Sequence, residues 1–411
     1  MAVEPMRAVF INHCHPDTPH VCALRLRSFA ETMAARGHQI VLLTETLNAG
    51  DAGQDRAGLP DDLASHDWSK PFRLAVRPDP DEVLSDLRNG LLPSGIRQLA
   101  IALRYFRQSG VFGDWQKGAC VYLPMLARDF KPDVVWATFG NTDSWKIAQD
   151  LARLSNCPWV GDVKDNWAAF LPTGFRQLIA NRFQDMARMT AFSESHRDHA
   201  RQWFANEAAV VYSGFDAATL EPDIMNDGIR ILLTGSLYGE QRANELVKGI
   251  TLWLRERGTD GPAVEFRYAG ADSERARVLA QPLGDLCQVV IDGFLPVEKL
   301  RALQMGAWVN AYMYSERALF QHKPIELLAA GRPILACPAE SAEVLSIAGD
   351  VSGNLQTCET AGQIAAYLGS LAPAVEALLI GKKMAEYSWQ GQVEVLESVL
   401  NDALNEVRGA T

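Results

Sequence analysis

The stretch INHCHPDTPHVC, residues 11–22, concentrates side chains that can bind a metal ion or a polar ligand. Its potential metal ligands are His13, Cys14, His15, Asp17, His20 and Cys22. Zinc needs ligands that converge on one point, whereas successive side chains of an extended segment point to opposite faces. A substrate-binding loop, a structurally neutral loop and a zinc site are the three hypotheses. The alternation favours a substrate-binding loop without a metal.

A second stretch, FQHKPIELLAAGRPILACP at residues 320–338, has the pattern of a nucleotide site. Lys323 and Glu326 are three residues apart at the start of a predicted helix, so they share one face. The ammonium group, together with the partial positive charge of a helix N-terminus, can hold phosphate. A glutamate in the first turn can accept two hydrogen bonds from a ribose diol. From spacing alone, an ordinary solvated Lys–Glu pair is the open alternative.

A third group of polar residues lies where a predicted strand ends, in WVGDVKDNW at residues 159–167. A carboxylate of Asp162 or Asp165 at a strand end can orient or deprotonate a hydroxyl group. Trp167 would add an aromatic face on which a sugar ring stacks. The alternative role for such an aspartate is to cap the next helix.

These stretches belong to a chain that alternates short apolar strands with segments of helical period, which predicts parallel sheets covered by helices. Strands are predicted at residues 7–13, 39–45, 72–78, 133–138, 159–165, 189–195 and 209–214. After a polar segment the pattern restarts, with strands at residues 229–236, 264–270, 287–294, 307–313 and 332–338. The Gly- and Asp-rich segment 48–70 is predicted to be a mobile surface loop.

The restart predicts two domains, at residues 1–215 and 216–390, and a C-terminal helix at 391–411 that packs back on the first domain. The predicted fold class is α/β, with two Rossmann-like, doubly wound domains facing each other across a cleft. Ligands of open parallel sheets bind at the carboxyl ends of the strands, so the functional residues are expected there.

Composition restricts the partners and the compartment. The 39 basic and 50 acidic residues give a formal net charge of −11, which disfavours nucleic acid. Seven scattered cysteines without a CxxC pair predict neither a disulfide framework nor a zinc knuckle. The N-terminus enters a strand directly and no apolar run approaches the length of a membrane span. We expect a cytoplasmic protein.

The pattern K-x-x-E-x-L-A-x-G-R-P-[IV]-L-A, read from residue 323, resembles that of the GT-B nucleotide-sugar glycosyltransferases. It is most similar to the large retaining family whose hallmark is two glutamates separated by seven residues. Further segments resemble that family in the same order: ARGHQIVLLT, VVYSGFD, TGSLYGEQRANELVKGI and VIDGFLPVEKLRALQMGAWVNAYM. WVGDVKDNW resembles the D-x-[RK]-D-x-W stretch of a bacterial branch. The resemblance covers most of the chain.

The resemblance implies an N-terminal acceptor domain and a C-terminal domain for a nucleoside-diphosphate sugar. The donor-binding residues that it implies are Gly235, Ser236, Arg242, Gly293, Lys323 and Glu326. The acceptor-binding residues that it implies are His13, His15, Arg25 and Trp167. Lys323 is expected to stabilise the departing diphosphate, and Asp165 to act on the acceptor hydroxyl, as the catalytic pair.

Two positions depart from the family pattern. The first hallmark glutamate would fall on Ala318, and Glu316, two residues away, would replace it only if the loop is rearranged. The arginine expected after the glycine turn is Leu237, which leaves Arg242 as the nearest cation for the diphosphate. Sugar specificity and anomeric outcome therefore stay open.

The sequence predicts a metal-independent glycosyltransferase of bacterial polysaccharide or glycoconjugate assembly, retaining by resemblance, with a glycan, glycolipid or small glycoconjugate as acceptor. Cationic side chains would replace magnesium, because no DxD-like motif follows a strand convincingly. One alternative is a nucleotide-sugar epimerase, which needs acid and base groups around the sugar C2 and no acceptor pocket. Another is a non-catalytic scaffold that kept the fold.

GLLPSGIRQLAIALRYFRQSG, residues 90–110, predicts an amphipathic helix. Its apolar stripe consists of Leu92, Ile96, Leu99, Leu103 and Phe106, and its cations are Arg97, Arg104 and Arg107. The pattern suits weak, reversible contact with an anionic membrane at the inner face, where each Arg could contribute about 1 kcal/mol. The favoured alternative packs the stripe on the sheet of the first domain, because domain helices normally use an apolar stripe for the core.

Overall fold

The computed structural model describes residues 4–48, 50–106, 110–217, 220–225, 228–259, 261–351, 353–372 and 382–409, and only the backbone of Phe106 and Arg408. The strands are β1 Arg7–Ile11, β2 Gln39–Glu45, β3 Phe72–Val76, β4 Val134–Thr138, β5 Trp159–Val163, β6 Arg188–Ala191, β7 Ala208–Val210, β8 Gly228–Thr234, β9 Ala263–Ala269, β10 Gln288–Asp292, β11 Val309–Met313, β12 Ile334–Cys337 and β13 Leu355–Thr357.

The helices up to the middle of the chain are α1 Val21–Ala35, α2 Leu59–Ser65, α3 Glu82–Arg88, α4 Ser94–Phe106, α5 Gly113–Cys120, α6 Leu123–Met125, α7 Thr142–Ser155, α8 Trp167–Phe170, α9 Arg176–Asn181 and α10 Glu194–Ala200. The remaining helices are α11 Glu240–Arg257, α12 Ser273–Ala280, α13 Val297–Gly306, α14 Lys323–Ala329, α15 Ala342–Asp350, α16 Ala361–Ser370 and α17 Trp389–Gly409.

The chain divides into two compact units. The first unit comprises residues 1–213 and 389–411, and the second comprises residues 214–388. The first unit is built on a seven-stranded parallel sheet in the order β3-β2-β1-β4-β5-β6-β7. Phe29 of α1 packs edge-on against Trp136 of β4 and Trp389 of α17, with ring centroids 5.6 and 5.3 Å away. Helix α17 therefore belongs to the core of the first unit.

The second unit is built on a six-stranded parallel sheet in the order β10-β9-β8-β11-β12-β13. Trp253 of α11 stacks on Trp308, which precedes β11, with ring centroids 5.3 Å apart. In both units the strand order reverses beside the first strand, between β1 and β4 and between β8 and β11. Ligands of doubly wound sheets bind at such switch points, outside the carboxyl ends of the strands.

Each of the twelve predicted strands has a counterpart, which confirms the α/β class. The runs are apolar along their whole length because helices bury both faces of a parallel sheet. β13 was missed because Leu-Gln-Thr is short and only partly apolar. The expectation that 48–70 is entirely loop is wrong, since α2 forms within it and buries Leu59 and Leu63.

The favoured packing of the amphipathic helix is also wrong. α4 exposes its apolar stripe, with 57% of Ile96, 61% of Leu99 and 47% of Leu103 accessible to solvent. Arg104 is paired with Asp81 at 2.6 Å, whereas Arg97 is exposed. Arg107 lies outside the described residues. Among the helices that the structure describes, none combines the length and apolar character needed to cross a bilayer.

Candidate functional site

The glycine turn after β8 and the first residue of α14 meet at the switch point of the second unit. Gly235 has φ +88°, a conformation that favours glycine. A Cβ atom at Gly235 would lie 2.4 Å from Lys323 Nζ, so the ammonium group rests against the backbone of the turn. Lys323 Nζ is also 3.5 Å from Thr234 Oγ1. The local geometry thus requires glycine at position 235.

Side chains from β9 and from the loop that follows it hold this turn in place. The Tyr268 hydroxyl donates to the Gly235 carbonyl at 2.8 Å and accepts from the Asp272 N–H at 3.0 Å. The Leu237 N–H donates to Asp272 Oδ2 at 2.8 Å, and the Leu237 side chain is buried. Ser236 is exposed between them. The turn therefore presents Ser236 and the Lys323 ammonium group at the carboxyl edge of the sheet.

Lys323 and Glu326 begin α14, as predicted, and Gly331 follows the helix with φ +65°. Burial lowers the pKa of Lys323, and the neighbouring Glu326 charge opposes that shift. Burial acts to raise the pKa of Glu326, but His322 and Lys323 together hold it below its usual value. Glu326 is thus an ionised acceptor, and its Oε1 lies 3.4 Å from His322 Nε2. The Lys323 ammonium group supplies positive charge to this site.

The loop after β11 contains Ala318, the position at which the family resemblance implies a glutamate. The Ala318 N–H donates to the Ser315 carbonyl at 3.1 Å, and the Ser315 N–H donates to Gln321 Oε1 at 3.0 Å. This turn directs Glu316 to Arg242 of α11, with Oε1 and Nη2 2.5 Å apart. The two residues singled out for the sugar and the diphosphate are therefore paired with each other.

Gly293, also expected to bind the donor, follows β10 at the same edge of the sheet. β9 separates its strand from β8, so Gly293 is not at the switch point. It is exposed, and a Cβ atom there would lie 3.8 Å from Ser273 Oγ. The structure brings together Gly235, Lys323 and Glu326, and leaves Gly293 apart from them.

In the first unit, Arg25 and Asp162 form a fully buried ion pair. Arg25 Nε and Nη2 donate to the two carboxylate oxygens at 3.0 and 2.8 Å, and Nη1 donates to Ser213 Oγ at 3.3 Å. The Thr190 hydroxyl donates to Asp162 Oδ1 at 2.7 Å. Neither side chain of the pair is exposed. The expectation that Arg25 contacts the acceptor is therefore wrong, because its side chain has a structural role in the core. The expectation that Asp162 acts on a hydroxyl group is wrong for the same reason.

Trp167 is likewise in the core. Its ring stacks on Trp145 with centroids 5.6 Å apart and meets Phe204 edge-on at 4.9 Å. None of its surface is exposed, so the expected sugar-stacking face is covered. Asn166, whose side chain accepts from the N–H groups of Ala168 and Ala169, caps the short helix α8.

Asp165 is half-buried beside Lys164, a residue that the sequence analysis did not single out. Lys164 Nζ lies 3.1 Å from Asp165 Oδ1, and only 8% of the Lys164 side chain is exposed. Burial raises the pKa of Asp165, although the Lys164 charge opposes the shift. A carboxylate with a raised pKa is a stronger base than an ordinary aspartate. The sequence feature that could have identified Lys164 is its position next to Asp165, directly after β5.

His13 lies at the switch point of the first unit, whereas His15 points elsewhere. The His13 ring stacks on Phe112 with centroids 4.1 Å apart, and a Cβ atom at Gly140 would lie 2.7 Å from its Cε1. Burial lowers the pKa of His13 to about 4, so the imidazole is neutral at pH 7. His15 Nδ1 instead lies 3.8 Å from Asp17 Oδ2.

Three of the six potential ligands after β1 converge. Among the described residues, Cys14, His20 and Cys22 each offer a ligand atom, and these atoms lie within 4.8 Å of one another. The expectation that the side chains diverge is wrong for these three, because β1 ends at Ile11 and the following residues turn rather than extend.

The chain matches no protein-family model, and no curated protein matches it. Among solved structures it is similar to α,α-trehalose 6-phosphate synthase from Burkholderia multivorans, with 12% identity, 99% of this chain and 97% of that chain covered, and a TM-score of 0.60. The chain has the GT-B fold.

Two further structures share this architecture. Anabaena HepE in complex with UDP and glucose has 13% identity and a TM-score of 0.54, with 98% of each chain covered. A UDP-N-acetylglucosamine 2-epimerase has 15% identity and a TM-score of 0.55, with 99% of this chain and 97% of that chain covered. Likeness at such identity shows the GT-B fold and does not distinguish transferases from epimerases.

Proposed function

We propose that the protein is a glycosyltransferase that moves a sugar from a nucleoside-diphosphate sugar to a hydroxyl acceptor. The observation that carries the proposal is the position of the Lys323 ammonium group against Gly235, with ionised Glu326 one turn further along α14. A cation, a glycine turn and an acceptor of hydrogen bonds at one switch point suit a diphosphate and a ribose together.

We assign the donor groups to the side chains of the second unit. Glu326 would accept hydrogen bonds from the ribose hydroxyls, and Lys323 and Arg242 would pair with the diphosphate. The exposed Ser236 and the backbone at Gly235 leave room for phosphate oxygens, and Gly293 would lie on the base side. HepE was solved with UDP and glucose, which supports uridine as the first nucleoside to test.

The proposed chemistry follows the charge that develops as the anomeric bond breaks. Negative charge accumulates on the departing diphosphate while the sugar gains oxocarbenium character. Lys323, half-buried and fixed against the turn, would stabilise the leaving group as it forms. The proposal is metal-independent at this step, because side-chain cations supply the charge. Retention of configuration is proposed from the family resemblance.

Asp165 is the proposed acceptor-side residue. Its raised pKa and its contact with Lys164 suit a group that orients a hydroxyl and accepts its proton. His13 and His15 are proposed acceptor contacts, with His13 as a neutral hydrogen-bonding group. The acceptor class stays a glycan, a glycolipid or a small glycoconjugate.

A nucleotide-sugar epimerase is the second candidate, and the GT-B likeness to an epimerase favours it over other classes. The test incubates purified protein with UDP-, GDP- and ADP-sugars, with and without a panel of sugar and lipid-linked acceptors, and follows the products by NMR. Release of nucleoside diphosphate that requires an acceptor supports the transferase. Conversion of the donor to an epimer without an acceptor supports the epimerase, and absence of nucleotide binding supports a scaffold.

A further inference from the structure

We propose that Cys14, His20 and Cys22 form a binding site for a thiophilic divalent cation, with zinc as the expected ion. The inference concerns the first unit and does not depend on the proposed glycosyltransferase activity. Two thiolates and one imidazole form a set of ligands that binds zinc in preference to magnesium or calcium.

The distances between the three ligand atoms are close to the distances between ligand atoms around a bound zinc ion. Cys14 Sγ lies 3.9 Å from His20 Nδ1, and all three ligand atoms fall within 4.8 Å of one another. Around a tetrahedral zinc ion, sulfur and nitrogen ligands are about 3.6–3.8 Å apart, given Zn–S bonds of about 2.3 Å and Zn–N bonds of about 2.0–2.1 Å. The cluster needs only a small contraction to enclose an ion.

The backbone brings the three ligands close together. Cys22 is the second residue of α1, and His20 is the residue that caps this helix. The Cys14 N–H donates at 2.9 Å to Oδ1 of Asn12, which is fully buried. The Cys22 N–H donates to His20 Nδ1 at 3.2 Å, and ion binding through Nδ1 would replace this single bond.

The charges around the cluster balance when an ion is bound. Two thiolates neutralise a divalent cation, and Lys164 and Asp165 neutralise each other. The Lys164 charge also interacts electrostatically with Cys22.

The site would be open rather than closed. Among the described residues, no fourth ligand atom lies within 4.8 Å of all three, although His13 Nε2 is 3.3 Å from Cys14 Sγ. Three protein ligands and one free position are the arrangement of zinc sites that accept water or a substrate oxygen. The ion would sit close to Asp165, whose carboxylate interacts electrostatically with Cys22 and His20. Two adjacent thiols can instead form a disulfide. The experiment must therefore distinguish ion binding from a disulfide between Cys14 and Cys22.

The experiment uses the full chain, purified under reducing conditions. Metal content is measured by mass spectrometry, and chelator-stripped protein is titrated with Co²⁺ and then Zn²⁺ while absorbance is recorded. We expect one ion per chain and the near-ultraviolet charge-transfer band of thiolate-bound cobalt, displaced by zinc.

Variants locate the site. Cys14→Ser, His20→Ala and Cys22→Ser should each lose the cobalt band, while Cys120→Ser and Cys157→Ser, which alter other half-buried cysteines of this unit, should keep it. Cys14→Ser changes a turn residue, so it remains informative if Cys22→Ser does not fold. Reduced, folded wild-type protein without the band, equal loss in the control variants, or a Cys14–Cys22 disulfide in the metal-treated protein would overturn the proposal.

Discussion

Arg242 and Glu316 form an ion pair in which Nη2 lies 2.5 Å from Oε1, and both side chains are more than one-third exposed. Arg242 is the proposed diphosphate cation, and Glu316 lies two residues before Ala318, the position at which the resemblance to the retaining glycosyltransferases implies a glutamate. Exposed pairs contribute only about 0–1 kcal/mol to stability, so a diphosphate can displace the carboxylate at low cost. We infer that donor binding exchanges one anion for another at Arg242 and frees Glu316 for the sugar.

Glu316→Gln should therefore separate nucleotide affinity from sugar transfer. The affinity for UDP should stay unchanged or rise a few-fold, because the competing anion is gone, while turnover of the UDP-sugar should fall by about tenfold or more. Calorimetric titration with UDP and a coupled assay of its release measure the two effects. A variant that loses UDP affinity and keeps turnover would contradict the exchange.

Glu326→Ala should weaken the binding of uridine as well as UDP. A charge-assisted hydrogen bond is worth roughly 1.5–3 kcal/mol, which corresponds to a loss of roughly tenfold to a hundredfold in affinity. Glu274→Ala, which removes a highly exposed glutamate of α12 in the same unit, serves as the control and should bind normally. If the folded Glu326→Ala variant binds uridine and UDP as tightly as the wild type does, the ribose contact is refuted.

Gly235→Ala should impair UDP binding while the unit stays folded. The new Cβ atom would lie 2.4 Å from Lys323 Nζ, and φ +88° is strained for alanine, so the lysine and the turn must both move. Gly349→Ala is the matched control, because its Cβ atom meets nothing within 4 Å and its φ is not in the left-handed region. Thermal melts monitor folding. A comparable loss of UDP affinity in the two variants would argue against a local effect at Gly235.

The pH dependence of transfer tests Asp165. A base must be deprotonated, so activity should fall as the pH drops through its pKa, and burial raises that pKa above its usual value. The acidic limb of kcat/KM should thus lie above the value of about 4 typical of aspartate. Lys164→Met should move the limb to higher pH, since Lys164 opposes the shift. His13, with a pKa of about 4, is the nearby competitor, and His13→Gln should leave the limb in place.

Exposure of the α4 stripe predicts salt-sensitive binding to anionic vesicles. Apolar area and Arg97 would both face the lipid, and this weak attachment stays a proposal for the inner face of a membrane. Vesicle co-sedimentation of wild type, of Leu99→Asn and of the combined Arg97, Arg104 and Arg107 variant measures it. Binding that survives these changes, or none at low salt, would exclude α4 as the contact.

The sequence predicted what depends on local patterns. Apolar runs gave twelve strands, and the spacing of Lys323 and Glu326 gave the start of α14. It did not predict burial that depends on distant partners. Arg25 is neutralised by Asp162, 137 residues away, and Trp167 is covered by Phe204 from the loop before β7. The turn that gathers Cys14, His20 and Cys22 likewise depends on β1 ending at Ile11, whereas the predicted strand extends to residue 13.

Nucleotide binding by the second unit is tested most directly by a calorimetric titration of the full chain with UDP and with uridine, repeated for Lys323→Ala. We expect one UDP per wild-type chain, weaker binding of uridine, and a variant that loses affinity for UDP but binds uridine as the wild type does. Wild-type protein that binds UDP no better than uridine, or a Lys323 variant that loses both ligands equally while folded, would contradict the assignment of the second unit as the nucleotide-sugar site.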